Sequence, residues 1–117
     1  MALRFAEAGA SLYLVDVNEA GLNEVANEVR GGRFGVDVST YRVDLSRKRE
    51  IDDLWSAIRG GREPDILVNN AGIYEFMDFL EVDEEALERT LAVNLKSVFH
   101  MCQGMIRGGR GGDRGVA

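Results

Sequence analysis

The sequence predicts an α/β fold, a parallel sheet of about three strands flanked by helices. Two observations carry this expectation. Short runs rich in strand formers, at Ser11–Val15, Ser39–Val43 and Ile66–Val68, alternate with segments whose apolar residues recur with helical spacing. Each strand candidate is joined to the next through one amphipathic helix, the pattern of right-handed parallel crossovers. A chain of 117 residues fits one modest domain spanning 1–117, with no internal repeat or linker.

The elements follow in order. Ala2, Phe5, Ala6 and Gly9 have i, i+3, i+4, i+7 spacing and read as the last turns of a helix that begins before Met1, with Gly9 ending it. The first strand run stops at Asp16. Asn18 can cap a second helix, in which Leu22, Val25, Ala26 and Val29 share a face, and Gly31-Gly32 ends it. After the second strand come Asp44-Leu45. Ser46 is expected to cap a third helix with Ile51, Leu54, Trp55 and Ile58 on one face, stopped by Gly60-Gly61. Pro64-Asp65 precedes Ile66-Leu67-Val68, an unbroken apolar run of the kind covered on both faces, and Asn69-Asn70-Ala71-Gly72 follows. The last helix is expected over Glu84 to Arg107, with acidic residues at its positive end. Leu87, Leu91, Leu95, Val98, Phe99, Cys102, Met105 and Ile106 cover most of its surface, and Gly108 to Gly115 reads as a loop.

Composition narrows the function classes. Fourteen Lys and Arg against twenty Asp and Glu leave a net charge of −6, which disfavours general binding to nucleic acid or anionic membrane. No run approaches the ~18 apolar residues of a membrane span, and Glu7 interrupts any leader-like start, so the expected location is the cytoplasm. A single cysteine, Cys102, excludes an intramolecular disulfide, and with a single histidine, His100, a Cys- or His-based metal site is not expected.

In open parallel sheets, ligands bind beyond the carboxyl ends of the strands. Asp16, Asp44 and Asn69 to Gly72 fall there. A carboxylate at the end of a strand can accept hydrogen bonds from both hydroxyls of an adenosine ribose. Alone, such an aspartate equally serves a turn or a helix cap. Small residues at Ala71 and Gly72 let backbone approach a ligand, and asparagine amides can bridge neighbouring segments. The glycine fingerprint that cradles a pyrophosphate lies about 20 residues before the ribose-binding acid, and counting back from Asp16 passes Met1.

These motifs, in this order, resemble the short-chain dehydrogenase/reductase family: a helix Ala2 to Ala10, Asp16, Asp44-Leu45, Asn69-Asn70-Ala71-Gly72 and Val93-Asn94-Leu95-Lys96-Ser97-Val98-Phe99. The resemblance runs the length of the chain. It implies a partial Rossmann-like sheet of strand order 3-2-1-4-5 and hydride transfer between a nicotinamide cofactor and an alcohol or ketone. Asp16 matches the acid that binds the adenosine ribose and favours NAD over NADP. The next residue, Val17, is not the arginine often associated with NADP. Asp44 and Leu45 match the pair that contacts adenine. Asn69, Ala71 and Gly72 match the lining of the cofactor cleft, and Ile73 extends that wall toward the nicotinamide. Asn94 matches the asparagine of an Asn-Ser-Tyr-Lys catalytic tetrad, which holds a water in the proton relay. Its place on the apolar face agrees, because an amide there without partners costs roughly 1–3 kcal/mol, although a bond to its own helix backbone would also satisfy it.

The tetrad is incomplete. Tyr13, Tyr41 and Tyr74 are followed four positions later by Val17, Leu45 and Asp78, so none begins a Tyr-x-x-x-Lys motif. The sequence therefore reads as an internal piece of an enzyme, inactive alone and weak in binding NAD. A non-catalytic nucleotide-binding or scaffolding remnant of the same fold is the second reading. With the central strand missing, direct pairing of the Leu12–Val15 and Ile66–Val68 runs is expected. The second apolar face of the 84–107 helix implies a homo-oligomer, while a cover from further chain is the alternative. Arg107 to Gly112 is better read as a loop than as an RNA-binding arginine–glycine box.

Overall fold

A computed structural model describes residues 1–74 and 76–109. Its helices are α1 (Ala2–Glu7), α2 (Glu19–Gly31), α3 (Lys48–Arg59), α4 (Glu84–Leu91) and α5 (Ser97–Gly109). Its strands are β1 (Leu12–Asp16) and β2 (Val38–Arg42), with a 3-10 turn at Phe79–Glu81 and a π turn at Ala92–Lys96. The chain divides into two compact units, Met1–Asp44 and the residues from Leu45 onward.

In the first unit, β1 and β2 pair in parallel, with Leu12 opposite Val38 and Asp16 opposite Arg42. Tyr13 and Tyr41 meet edge-on across the pair at 5.9 Å. Asn18 caps α2 as expected, its side chain accepting from the Gly21 N–H at 3.0 Å. The predicted face of α2 is inward: Leu22, Ala26 and Val29 are buried, together with Ala6 of α1 and Val43. Gly9 ends the α1 segment at φ 89°, a conformation a side chain would strain.

In the second unit, α3 packs against α5. Ile51, Leu54, Trp55 and Ile58 are all buried. Ser46 is not its cap. Arg47 takes that position and makes no capping bond through its side chain. A lost cap costs about 1 kcal/mol, whereas each large apolar side chain buried contributes roughly 1.5–3 kcal/mol, so the face of α3 decides its helicity.

Three further expectations are corrected. Ile66–Val68 forms no strand, and the sheet contains β1 and β2 alone among the described residues. A parallel strand exists only through a neighbour's hydrogen bonds. β1 bonds to β2, the 66–68 run has no ladder partner among the described residues, and Ile66 is 68% exposed. In place of the pairing expected with the 66–68 run, the strand observed beside β1 is β2. The last helix is not continuous either. The π turn divides it, and Ser97 N–H reaches back to the Ala92 carbonyl. Its apolar residues Leu87, Leu91, Leu95, Phe99 and Ile106 are exposed. Finally, Gly108 and Gly109 belong to α5, and the rest of the loop expected over Gly108–Gly115 lies outside the described residues.

Candidate functional site

Asp16 ends β1 and is exposed. Its carboxylate accepts from the Asn18 N–H at 3.0 Å, so the turn into α2 is organised by two successive side-chain caps, Asp16 and Asn18. The strand ends stay in register through the Val43 N–H, which donates to the Asp16 carbonyl at 2.9 Å. Asp44 follows two residues after Arg42, the last residue of β2, at the carboxyl edge of the sheet. This is the position where open parallel sheets bind ligands.

In the second unit, Asn94 sits in the π turn, and its amide closes on one residue. Oδ1 accepts from the Ile73 N–H at 2.8 Å, and Nδ2 donates to the Ile73 carbonyl at 2.8 Å. The expectation of a buried amide on an apolar face is corrected, for Asn94 is exposed and its partner is the Ile73 backbone. Among the described residues the 70–74 segment has no strand neighbour, and the backbone groups of Ile73 are satisfied by the Asn94 side chain instead of a ladder. The π turn widens the helix where this approach is made, with the Ser97 hydroxyl donating to the Val93 carbonyl at 2.6 Å. Poor helix formers at Val93 and Asn94 were the signal for that break.

Asn69, Ala71 and Gly72 are exposed and lie outside any helix or strand. A Cβ built on Gly72 would meet nothing nearer than the Asn94 Oδ1 at 3.5 Å, an ordinary contact. Packing among the described residues does not require glycine there, and the residue is exposed. Asn69 Nδ2 donates toward the Cys102 Sγ at 3.6 Å. The sequence offered no signal for that contact, because 33 positions separate the two residues.

Leu45 also lines a shallow groove of about 480 Å³ with Ser46, Lys48, Glu88, Lys96 and His100. Lys48 is bonded to Asp52 at 2.8 Å and Lys96 lies 3.6 Å from Glu88, so these lysines already face carboxylates. The Lys48 hydrogen bond holds the Asp52 carboxyl below its ordinary value of 3.8. Asn69, Ala71, Gly72, Ile73 and Asn94 do not line this groove. No described helix is long and apolar enough to cross a membrane.

The residues fit a nicotinamide dinucleotide in part. Strand-end carboxylates and an open small-residue backbone are present, but no glycine-rich phosphate loop occurs before Asp16 in these residues.

Comparison with known proteins agrees. Residues 1–116 match the family described as short chain dehydrogenase. The chain is 33% identical over 106 residues to 3beta-hydroxysteroid dehydrogenase 2 of Eggerthella lenta, covering 89% of this chain and 40% of that protein. It is 34% identical over 102 residues to estradiol 17-beta-dehydrogenase 11 of Rattus norvegicus, covering 84% of this chain and 33% of that protein. Among solved structures it is similar to L-sorbose reductase from Gluconobacter frateurii complexed with NADPH and L-sorbose, with TM-score 0.85 and 28% identity, covering 94% of this chain and 42% of that one. A short-chain dehydrogenase from Sphingobium yanoikuyae in complex with NADPH gives TM-score 0.82 at 27% identity, covering 92% and 42%. The chain thus spans between about a third and two fifths of the length of these four relatives.

These complexes overturn the NAD preference expected from Asp16, since both relatives hold NADPH. The structure supplies the physical reason. The Asp16 carboxylate has a turn to hold, and the register sets the cationic Arg42 directly across from it. A strand-end aspartate in that setting does not by itself exclude a 2′-phosphate. The motifs, their placement and the match over residues 1–116 agree, and the chain belongs to the short chain dehydrogenase family.

Proposed function

We propose that this chain carries the adenine-side and asparagine-bearing parts of an oxidoreductase that uses a nicotinamide dinucleotide on an alcohol or ketone. The Asn94–Ile73 clamp is the observation that supports this most, because it joins the family's two motifs through a paired contact at 2.8 Å. The bound cofactor supplies or accepts the hydride. Asp16 offers its carboxylate to the adenosine ribose, and Asp44 and Leu45 contact adenine by side chain and backbone. Asn69, Ala71, Gly72 and Ile73 form the cleft wall. After bonding Ile73, the Asn94 amide retains one N–H and one lone pair, enough to hold a water in a proton relay. The proton donor itself is not assigned to any of these residues, since no tyrosine here begins Tyr-x-x-x-Lys. The chain alone accordingly transfers no hydride.

A homo-oligomer through the α4–α5 surface fits the same reading, supported by five exposed apolar residues on it. A cytoplasmic location accords with the acidic balance and the single cysteine. The test is an equilibrium titration with NADPH, followed by nicotinamide fluorescence, beside an assay for ketone reduction. Saturable binding that Asp44→Ala weakens about tenfold, without turnover, supports the proposal. Turnover by the 117-residue chain, or binding indifferent to Asp44→Ala, would overturn it.

A further inference from the structure

The Asn69-Asn70-Ala71-Gly72 motif lies in a stretch with no strand neighbour among the described residues, so something other than a ladder must fix it. One end is fixed by the Asn94 clamp on Ile73. The other meets Cys102, whose thiol is the hydrogen-bond partner of the Asn69 amide at 3.6 Å. The spacings agree: eight residues from Asn94 to Cys102 rise about 12 Å along a helix. Four residues from Asn69 to Ile73 can reach at most about 13 Å. The motif therefore runs alongside the helix and is held at both ends from it.

The thiol is itself well placed. Its neighbour Met101 is buried at 7% exposure, and Gly104, two residues on, receives the Trp55 indole from α3. Cys102 itself is half-buried on α5, while Asn69 is exposed. Sulfur is a weak acceptor, and the amide has no second partner among the described residues.

We propose that Cys102 is a positioning residue, the second anchor that holds Asn69 and so sets the cofactor-facing backbone of residues 70–72. This rests on the proposed cofactor role of the motif. The test compares Cys102→Ser, which keeps an acceptor, with Cys102→Val, which fills the same space without one. Two readouts are made on the full chain: the Asn69 side-chain NH2 resonances by 15N NMR without ligand, and NADPH affinity. Thermal midpoints are recorded beside them.

The expected result is that Val moves the Asn69 side-chain resonances and weakens NADPH by about threefold or more, while Ser leaves affinity within about twofold of the parent. Unmoved Asn69 resonances in Cys102→Val would overturn the proposal. So would equal loss of affinity in Ser and Val tracking a common drop in thermal midpoint, which marks packing alone. Should the parent chain not bind NADPH, the reading of the motif as a cofactor wall fails, and with it the positioning role. The ligand-free resonances then still report whether the Cys102 tether exists.

Discussion

Replacing Asn94 with alanine removes both bonds to Ile73, each 2.8 Å long. A protein hydrogen bond contributes about 0.5–1.5 kcal/mol net, so the pair contributes at most about 3 kcal/mol. Asn94 is exposed, and water can replace part of what is lost, which places the expected destabilisation nearer 1–2 kcal/mol. For a domain of this size that is a fall of roughly 3–10 °C in thermal midpoint. The more local readout is amide exchange at Ile73, whose N–H loses its acceptor. Protection there should drop about tenfold, while protection in β1 falls only with global stability. Asn94→Asp separates the two bonds, since a carboxylate still accepts from the Ile73 N–H but cannot donate to its carbonyl. It should retain most of the Ile73 amide protection. If Asn94→Ala leaves exchange at Ile73 unchanged, the clamp does not hold this segment and the reasoning fails.

Three more predictions follow from the packing and the charges. A methyl group at Gly104 would fall within the Trp55 indole, and because both lie between packed helices the indole has little room to yield. Gly104→Ala should destabilise by about 1–3 kcal/mol in urea denaturation and shift the Trp55 emission. Asn18→Ala removes the α2 cap on the Gly21 N–H at 3.0 Å and should cost about 1 kcal/mol, measured the same way. Asp52 is held below its ordinary pKa of 3.8 by the Lys48 hydrogen bond. Folding then favours its ionised form, so this contribution is present above the ordinary value and is lost as pH falls through the lowered one. Because the pair is exposed the effect is small and salt-sensitive, and Asp52→Asn should flatten the acid limb of the stability curve.

Much of the fold was legible in local residues. The faces of α2 and α3 followed from periodicity because burial and helical spacing are the same fact seen twice. Ile66–Val68 misled because an apolar run reports that a strand wants neighbours, and only tertiary structure decides whether it has them. The π turn escaped notice because the apolar spacing of 84–107 looks helical on both sides of it. At the candidate site, motif order singled out Asp44, Asn69 and Asn94 for proposed roles, but not what their side chains touch. Asn94 was read as a buried polar group and instead braces the Ile73 backbone. Asp16 was read as a cofactor discriminator, although its carboxylate also holds the turn to Asn18. Cys102 drew no assignment, since its contact with Asn69 is visible only in three dimensions.

The most direct test of the central claim is a residue-resolved 15N NMR titration of the chain with NADPH. The account predicts saturable shifts at Asp16, Asp44, Leu45 and Asn69 to Ile73, with α1 and the exposed face of α3 unmoved. Shifts confined to the groove around Lys48, Glu88 and Lys96, or no saturable shifts at millimolar ligand, would contradict it.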